Sequence, residues 1–416
     1  MDSQQSRRDF LKTTAGGMAA IGLPYFVGSR AWGANDRLGV GLIGVGGMGN
    51  GHLGWALGNR AVEVLAVCDV DAERRESAAD RAGDGCAGYN DYRELLDRSD
   101  IDAVIISTPD HWHALQSAHA CEAGKDVFCE KPLTLTISEG RHLANTVRRT
   151  ERVLQTGSMQ RSSWEFRLAC ELVRNGRIGK VHTVRVVIGG APGGDYAPDE
   201  PPPPELDWDL WLGPAPWVPY NRLRHPYGFR WFFDYSGGKM TDWGAHHNDI
   251  AQWGLGMDHT GPEWIEGQGV FPTEGCYDVA TAFEITYEYA GGQKVICSSE
   301  GRFGVTFEGE DGWVWVTRGD IETEPKELRD GVFGVADERL YFSPHHHEDW
   351  LNCIRTRERP ICDVEIGHRS VTVCHLGNIS MRTGRKLHWD PAVEQFIDDP
   401  DANRWLGHPY RAPWRL

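Results

Sequence analysis

The sequence predicts an α/β protein whose N-terminal part is a doubly wound parallel sheet, and two patterns carry that expectation. Short apolar runs, Arg37–Ile43, Val62–Val67, Ala103–Ser107 and Asp126–Cys129, alternate with longer helical stretches, the order that βαβ crossovers impose on a parallel sheet. The first run opens directly into a glycine turn, Gly44-Val45-Gly46-Gly47-Met48-Gly49, the form of a strand-to-helix turn that cradles a dinucleotide.

Each position of that turn has a physical task. Gly44 permits a tight turn, Gly46 lets a pyrophosphate approach the backbone, and Gly49 lets the helix pack on the strand. Gly47 and Met48 open the helix, whose free N–H groups then face the phosphates. The second run ends at Asp69, twenty residues past Gly49, where a carboxylate can take the adenine-side ribose hydroxyls. A carboxylate there repels a 2′-phosphate, and the next basic residue is Arg74, so NAD is expected as cofactor and NADP is disfavoured. The third run ends at Thr108-Pro109, before a helix from about His111 to Gly124, and the fourth ends at Glu130-Lys131-Pro132. Ligands of such sheets bind outside the carboxyl ends of the strands. Gly44, Asp69, Thr108 and Lys131 all fall there, and Lys131 sets an ammonium where a reacting hydroxyl can sit.

A second motif region, Gly237-Gly238-Lys239-Met240-Thr241-Asp242-Trp243-Gly244-Ala245-His246-His247-Asn248-Asp249, reads as a helix entered through a glycine turn. On one helix Asp242, His246 and Asp249 share a face, whereas His247 lies about 100° around and is expected to be structural or at the rim of the site.

Together, the glycine turn, Thr108-Pro109 with His113, Gly124-Lys125 with Val127, Glu130-Lys131-Pro132 and the Asp242-to-Asp249 segment resemble the Gfo/Idh/MocA oxidoreductase family. The resemblance covers nearly the whole chain after its N-terminal segment. It implies an N-terminal Rossmann domain and a C-terminal α/β domain with an open, mainly antiparallel sheet that bears the substrate site and often the oligomer contact. It also implies a catalytic set of Lys131, Asp242 and His246. His246 would take the substrate hydroxyl proton, Asp242 would orient that imidazole, and Lys131 would hold the reacting oxygen. Glu130 and His113 join the cofactor set by the same resemblance.

Other contacts follow from position. Gln160 and Arg161 lie where the chain leaves the nucleotide domain and could reach nicotinamide or substrate, as could Asp249. Aromatics crowd Asp207–Trp217 and Phe229–Tyr235; Trp231 and Tyr235 are candidate platforms for a sugar, whose C–H faces stack on flat rings. Pro201–Pro204 reads as a stiff excursion before them.

At the N-terminus, Ser6-Arg7-Arg8-Asp9-Phe10-Leu11-Lys12 is a twin-arginine motif, followed by a weakly apolar stretch and Ala31-Trp32-Gly33. This predicts an export signal over 1–34, a partnership with the Tat translocase, and a periplasmic mature protein. The remaining boundaries are expected at 35–157 for the nucleotide domain, 158–390 for the substrate domain and 391–416 for a C-terminal tail. An exported dinucleotide enzyme must carry its cofactor with it, so tight binding is expected, with turnover that returns the cofactor to its starting redox state. Three functions fit: a sugar or polyol oxidoreductase, a glycosidase or lyase that works through a transient ketone, and a sugar sensor without catalysis. The intact Lys131, Asp242 and His246 argue against the sensor, and no carboxylate pair can be assigned the roles of an ordinary glycosidase.

With 60 acidic and 43 basic residues, the formal charge of −17 argues against nucleic acid or anionic membranes as partners. The ten cysteines form no dense framework, and folding before export favours free thiols. His345-His346-His347-Glu348 is expected to open an amphipathic helix and not to hold a metal, because adjacent helical residues point apart. A long helix is expected over Glu365–Lys386. The tail could wrap a neighbouring subunit of a homo-oligomer or lie on its own chain.

Overall fold

A computed structural model describes residues 37–416; the twin-arginine motif and the expected cleavage site lie outside the described residues. The first sheet holds β1 (Leu38–Ile43), β2 (Val62–Cys68), β3 (Ala87–Tyr89), β4 (Ala103–Ile106), β5 (Asp126–Cys129) and β6 (Leu154–Thr156). Its order is β3-β2-β1-β4-β5-β6 and every pairing is parallel. Helices cover both faces, which is why these strands are nearly continuous apolar runs: Val40, Leu42, Ala103 and Ile105 are fully buried. The strand order reverses between β1 and β4, which opens a crevice at their carboxyl ends.

The second sheet has nine strands: β7 (Val181–Val187), β8 (Trp264–Val270), β9 (Ala282–Glu288), β10 (Lys294–Ser298), β11 (Gly304–Gly309), β12 (Gly312–Thr317), β13 (Asp320–Glu324), β14 (Leu387–Asp390) and β15 (Gln395–Phe396). Only β7 and β10 pair in parallel, so the sheet is mainly antiparallel and open, as expected. Along β9, Phe283, Ile285 and Tyr287 are buried while Glu284 is exposed, the alternation of a sheet with one covered face. The cover is the helix pair Trp164–Arg174 and Gly244–Leu255, with the long helix Val364–Thr383, all within one hydrophobic core. That long helix also lies against helix Ile137–Thr150 of the first domain and so joins the two halves.

Two stretches depart from a simple division of the chain. Helix His346–Thr356 begins at the His345-His346-His347 run as expected, but Trp350, Leu351 and Ile354 pack into the first domain's core beside Val40, Leu42 and Phe128. The substrate half is therefore not an unbroken block from 158 to 390. The segment 188–235 runs back over the first domain: Ala72 N–H donates to the Glu205 carbonyl at 2.9 Å, and Asp207 N–H to the Val70 carbonyl at 2.9 Å. The tail lies on its own chain, where Trp414 meets Trp112 edge-on at 4.9 Å and stacks near Tyr92. Among the described residues, no helix is long and apolar enough to cross a membrane.

Candidate active site

A cleft of about 910 Å³ runs from the glycine turn to the helix that carries His246. At one end the turn fits its expected task. Gly44 has φ of 82°, and a Cβ there would meet the Ser107 and Thr108 backbone at 2.9 Å; a Cβ on Gly49 would strike the Gly44 carbonyl oxygen at 2.0 Å. The helix Gly47–Gly58 has no side-chain cap at its N-terminus, so its first N–H groups are open to an anion. Asp69 accepts from Val45 N–H at 2.8 Å and Asp71 N–H at 3.0 Å. A carboxylate keeps lone pairs for hydroxyls after two such bonds, so this end fits the adenosine and pyrophosphate of a dinucleotide.

The middle of the cleft is lined by Met48, Thr108, Pro109, His113 and Glu130. His113 sets its two ring nitrogens against the Pro132 and Thr108 carbonyls, at 2.6 and 2.8 Å. It braces the two strand-end loops and leaves no ring nitrogen for a ligand. Thr108 Oγ1 donates to Gln116 at 2.7 Å. Glu130 lies 3.0 Å from His52 Nε2 and also accepts from Lys131 N–H at 3.2 Å. Burial, the largest single influence, acts to raise its carboxyl, but the His52 hydrogen bond and the Lys131 charge, with the other positive groups nearby, together outweigh it and hold the group below its ordinary value.

Lys131, Asp242 and His246 all line the far end. Lys131 Nζ donates to Asp242 Oδ1 at 2.9 Å and to the Asp242 carbonyl at 3.1 Å. Arg230 Nε stands 3.6 Å from the same carboxylate. Burial acts to raise Asp242, but the Lys131 ammonium, with Arg230 behind it, holds the carboxyl below its usual range. Burial, and next the Lys131 charge, push His246 well below an ordinary imidazole, so the ring is neutral. Its Nδ1 is buried with no hydrogen-bond partner, whereas His247 is held at the Val187 carbonyl at 3.2 Å. The expected orientation of His246 by Asp242 is corrected. The helix is interrupted at Trp243, between Lys239–Asp242 and Gly244–Leu255, and Asp242 is committed to Lys131 instead.

Four expected substrate contacts are also placed elsewhere. Arg161 is 1% and Asp249 0% exposed; Arg161 donates to Asp249 at 2.8 Å and to Asp258 at 2.7 Å, and Ser370 Oγ donates to Asp249 at 2.6 Å. These charges form a buried bolt between the end of the first domain and the His246 helix, and neither lines the cleft. Trp231 and Tyr235 lie in an aromatic core with Trp208, Trp211 and Phe232 that borders the cleft, but neither lines it, and Tyr235 meets Trp211 edge-on at 5.0 Å. Tight packing of ring on ring leaves them no face for a ligand. Gln160 does line the cleft. With its amide oxygen toward Arg318 it accepts from Arg318 Nε at 3.2 Å and donates to the His246 carbonyl at 3.1 Å.

The cleft also holds Trp211, Tyr227, Phe229, Arg230, Trp243 and Arg318, which motif spacing did not single out. The aromatic crowding of 207–235 marked the right region but not which rings face inward. Nothing local marks Arg318, which arrives on the turn after β12. Among the described residues, no group of three His, Cys, Asp or Glu is placed to hold a metal.

Comparison with known proteins agrees with this geometry. Residues 38–158 match the Gfo/Idh/MocA model described as oxidoreductase family, NAD-binding Rossmann fold, and residues 191–416 match the model of that family's C-terminal alpha/beta domain. The fold and the cleft thus define a two-domain dinucleotide-binding protein, and the chain belongs to the Gfo/Idh/MocA oxidoreductase family. It is 34% identical over 144 residues to inositol 2-dehydrogenase of Salmonella typhimurium, a match that covers 34% of this chain and 43% of that one. It is 32% identical over 154 residues to a glycosyl hydrolase family 109 protein of Shewanella pealeana, covering 35% and 34%. The chain therefore matches less than half the length of these relatives. The WlbA dehydrogenase from Bordetella pertussis, solved with NADH and UDP-GlcNAcA, shares the fold with a TM-score of 0.65 and 17% identity, covering 85% of this chain and 99% of that one.

Proposed function

We propose that the protein oxidises a hydroxyl of a sugar, polyol or glycoside by hydride transfer to a tightly held NAD, after export through the twin-arginine pathway. The convergence of Lys131, Asp242 and His246 at one end of a dinucleotide-sized cleft carries this reading. Bound NAD supplies a hydride acceptor. Neutral His246, with Nδ1 unpartnered, is suited to take the hydroxyl proton. Lys131 donates toward the reacting oxygen while Asp242 fixes its ammonium. The substrate would lose a C–H and an O–H bond and gain a carbonyl, its hydride passing to NAD held at the glycine turn and its proton to His246. Asp69, engaged at the end of β2, supports NAD over NADP. The strap 188–235 and the tail, which close over the first domain, support slow cofactor release.

Similarity to a protein named for glycoside hydrolysis favours a second reading, in which the ketone acidifies the adjacent C–H, the glycosidic oxygen leaves as the protonated alcohol, water adds in its place, and the hydride first passed to the bound NAD would return to the ketone. Purified protein incubated without added nucleotide, with sugars and glycosides, separates the two by product mass. A product two hydrogens lighter, with a second carbonyl compound reduced in step, establishes the oxidoreductase. Glycoside cleavage without net oxidation establishes the second reading, and no change in any substrate overturns both.

A further inference from the structure

Arg318 lines the acid-base end of the cleft and, among the described residues, forms no ion pair there, while its neighbours are matched. Lys131 is paired with Asp242 at 2.9 Å, and Arg230 stands 3.6 Å from that carboxylate. The nearby acids are taken as well: Glu130 lies 3.0 Å from His52, and Asp110 accepts the Ser236 hydroxyl. Two contacts hold the Arg318 guanidinium without neutralising it. With the Gln160 amide turned so that its oxygen faces Arg318, it accepts from Nε at 3.2 Å, and the guanidinium carbon stands 4.5 Å from the Trp243 ring centroid. Among the described residues neither terminal amino group has a hydrogen-bond partner, which leaves a guanidinium fork of the kind that takes an oxyanion. The surrounding protein is strongly acidic, at −17 overall, so an anion needs such a local cation to enter.

We propose that the substrate is an acidic sugar, its anionic substituent held by the Arg318 fork while one ring hydroxyl faces Lys131 and His246. This rests on the sugar-oxidising reading above. Gln160 is then a positioning residue, because it ties Arg318 to the backbone of the catalytic helix.

The test uses protein with its cofactor bound and matched sugar pairs: methyl uronates against the corresponding neutral methyl glycosides, with sugar 6-phosphates and 6-sulfates as further arms. Cofactor reduction and calorimetric binding are read separately. The expected result is a kcat/KM preference for the uronate of at least about tenfold, which collapses in Arg318→Leu mainly through KM and is partly restored in Arg318→Lys. Equal use of phosphates and sulfates would assign the fork to oxyanions in general, and their rejection would assign it to carboxylates. Equal turnover of acidic and neutral sugars, or an unchanged ratio in Arg318→Leu, overturns the proposal while the oxidoreductase reading stands. Arg318-dependent binding of uronates with no cofactor reduction would instead overturn the oxidation reading and leave the anion site in place.

Discussion

Lys131 Nζ, on the loop after β5, donates to Asp242 Oδ1 at 2.9 Å, on the helical turn ahead of His246. This pair bridges the two domains inside the cleft, with only 15% and 11% of its side chains exposed. It therefore acts in two ways. It aims the ammonium, and it keeps a positive charge beside His246 that helps hold the imidazole neutral.

Breaking the pair by removal of one partner leaves a largely buried charge unmatched, at a cost of up to about 3–5 kcal/mol, discounted for the partial exposure. Lys131→Met and His246→Asn are each expected to lower turnover by about 10²–10⁴-fold. Both should still purify with nucleotide, because neither holds the glycine turn. Retained turnover in both variants, measured by single-turnover cofactor reduction, would remove these residues from the mechanism.

The pH profile should be insensitive to His246 over the neutral range. Burial sets its folded value well below the ordinary 6.5, so the base form persists as pH falls from about 8 to 6 and is lost only at the lower folded value. The stability effect follows the same sign. The unfolded imidazole takes up a proton below about 6.5 and the folded one does not, so acid favours unfolding by this group. A loss of the bound-cofactor reduction rate with a midpoint near 6.5, absent in a His246 variant's residual activity, would contradict the assignment.

Arg161→Ala is expected to act on stability and not on recognition. The guanidinium is 1% exposed and holds Asp249 and Asp258, so its loss leaves two carboxylates unmatched, at about 3–5 kcal/mol. Thermal denaturation should show a large fall in Tm. KM for the folded fraction should be unchanged; a KM increase with normal Tm would restore Arg161 to the substrate site.

Cofactor residence should depend on the tail. Arg411 donates to Asp209 at 2.6 Å and to the Gly213 carbonyl at 2.9 Å, so it fastens the strap at the point where Trp211 lines the cleft. Deletion of 408–416 is expected to speed NAD release by about tenfold or more, since the loss of roughly 1.4 kcal/mol suffices. Release into a trapping dehydrogenase measures it, and an unchanged rate would show that the strap holds without the tail.

The first half of the site was legible because its requirements are local. Gly44 takes a left-handed φ in the turn and Gly49 is demanded by the Gly44 carbonyl within the same strand-turn-helix unit, and Asp69, Thr108 and Lys131 follow from where apolar strands end. The shared helical face of Asp242, His246 and Asp249 was legible as spacing only. The burial of Asp249 against Arg161 depends on a partner 88 residues away in sequence, and the helix is interrupted at Trp243, between Asp242, the partner of Lys131, and Asp249. Trp231 and Tyr235 failed as platforms for a similar reason: composition marks aromatic crowding, and packing chooses which faces stay open.

The sequence by itself determined the parallel sheet, the dinucleotide turn and the strand-end Lys131, since strand periodicity and glycine geometry act over a few residues. It also marked the acid-base helix. Tertiary structure decided which charges meet: Lys131 with Asp242, Arg161 with Asp249, and Arg318 in no ion pair among the described residues. It also sent helix His346–Thr356 back to the first domain and laid the tail across the strap. Those outcomes depend on long-range burial, where a charge keeps or loses its partner according to what the other domain brings against it.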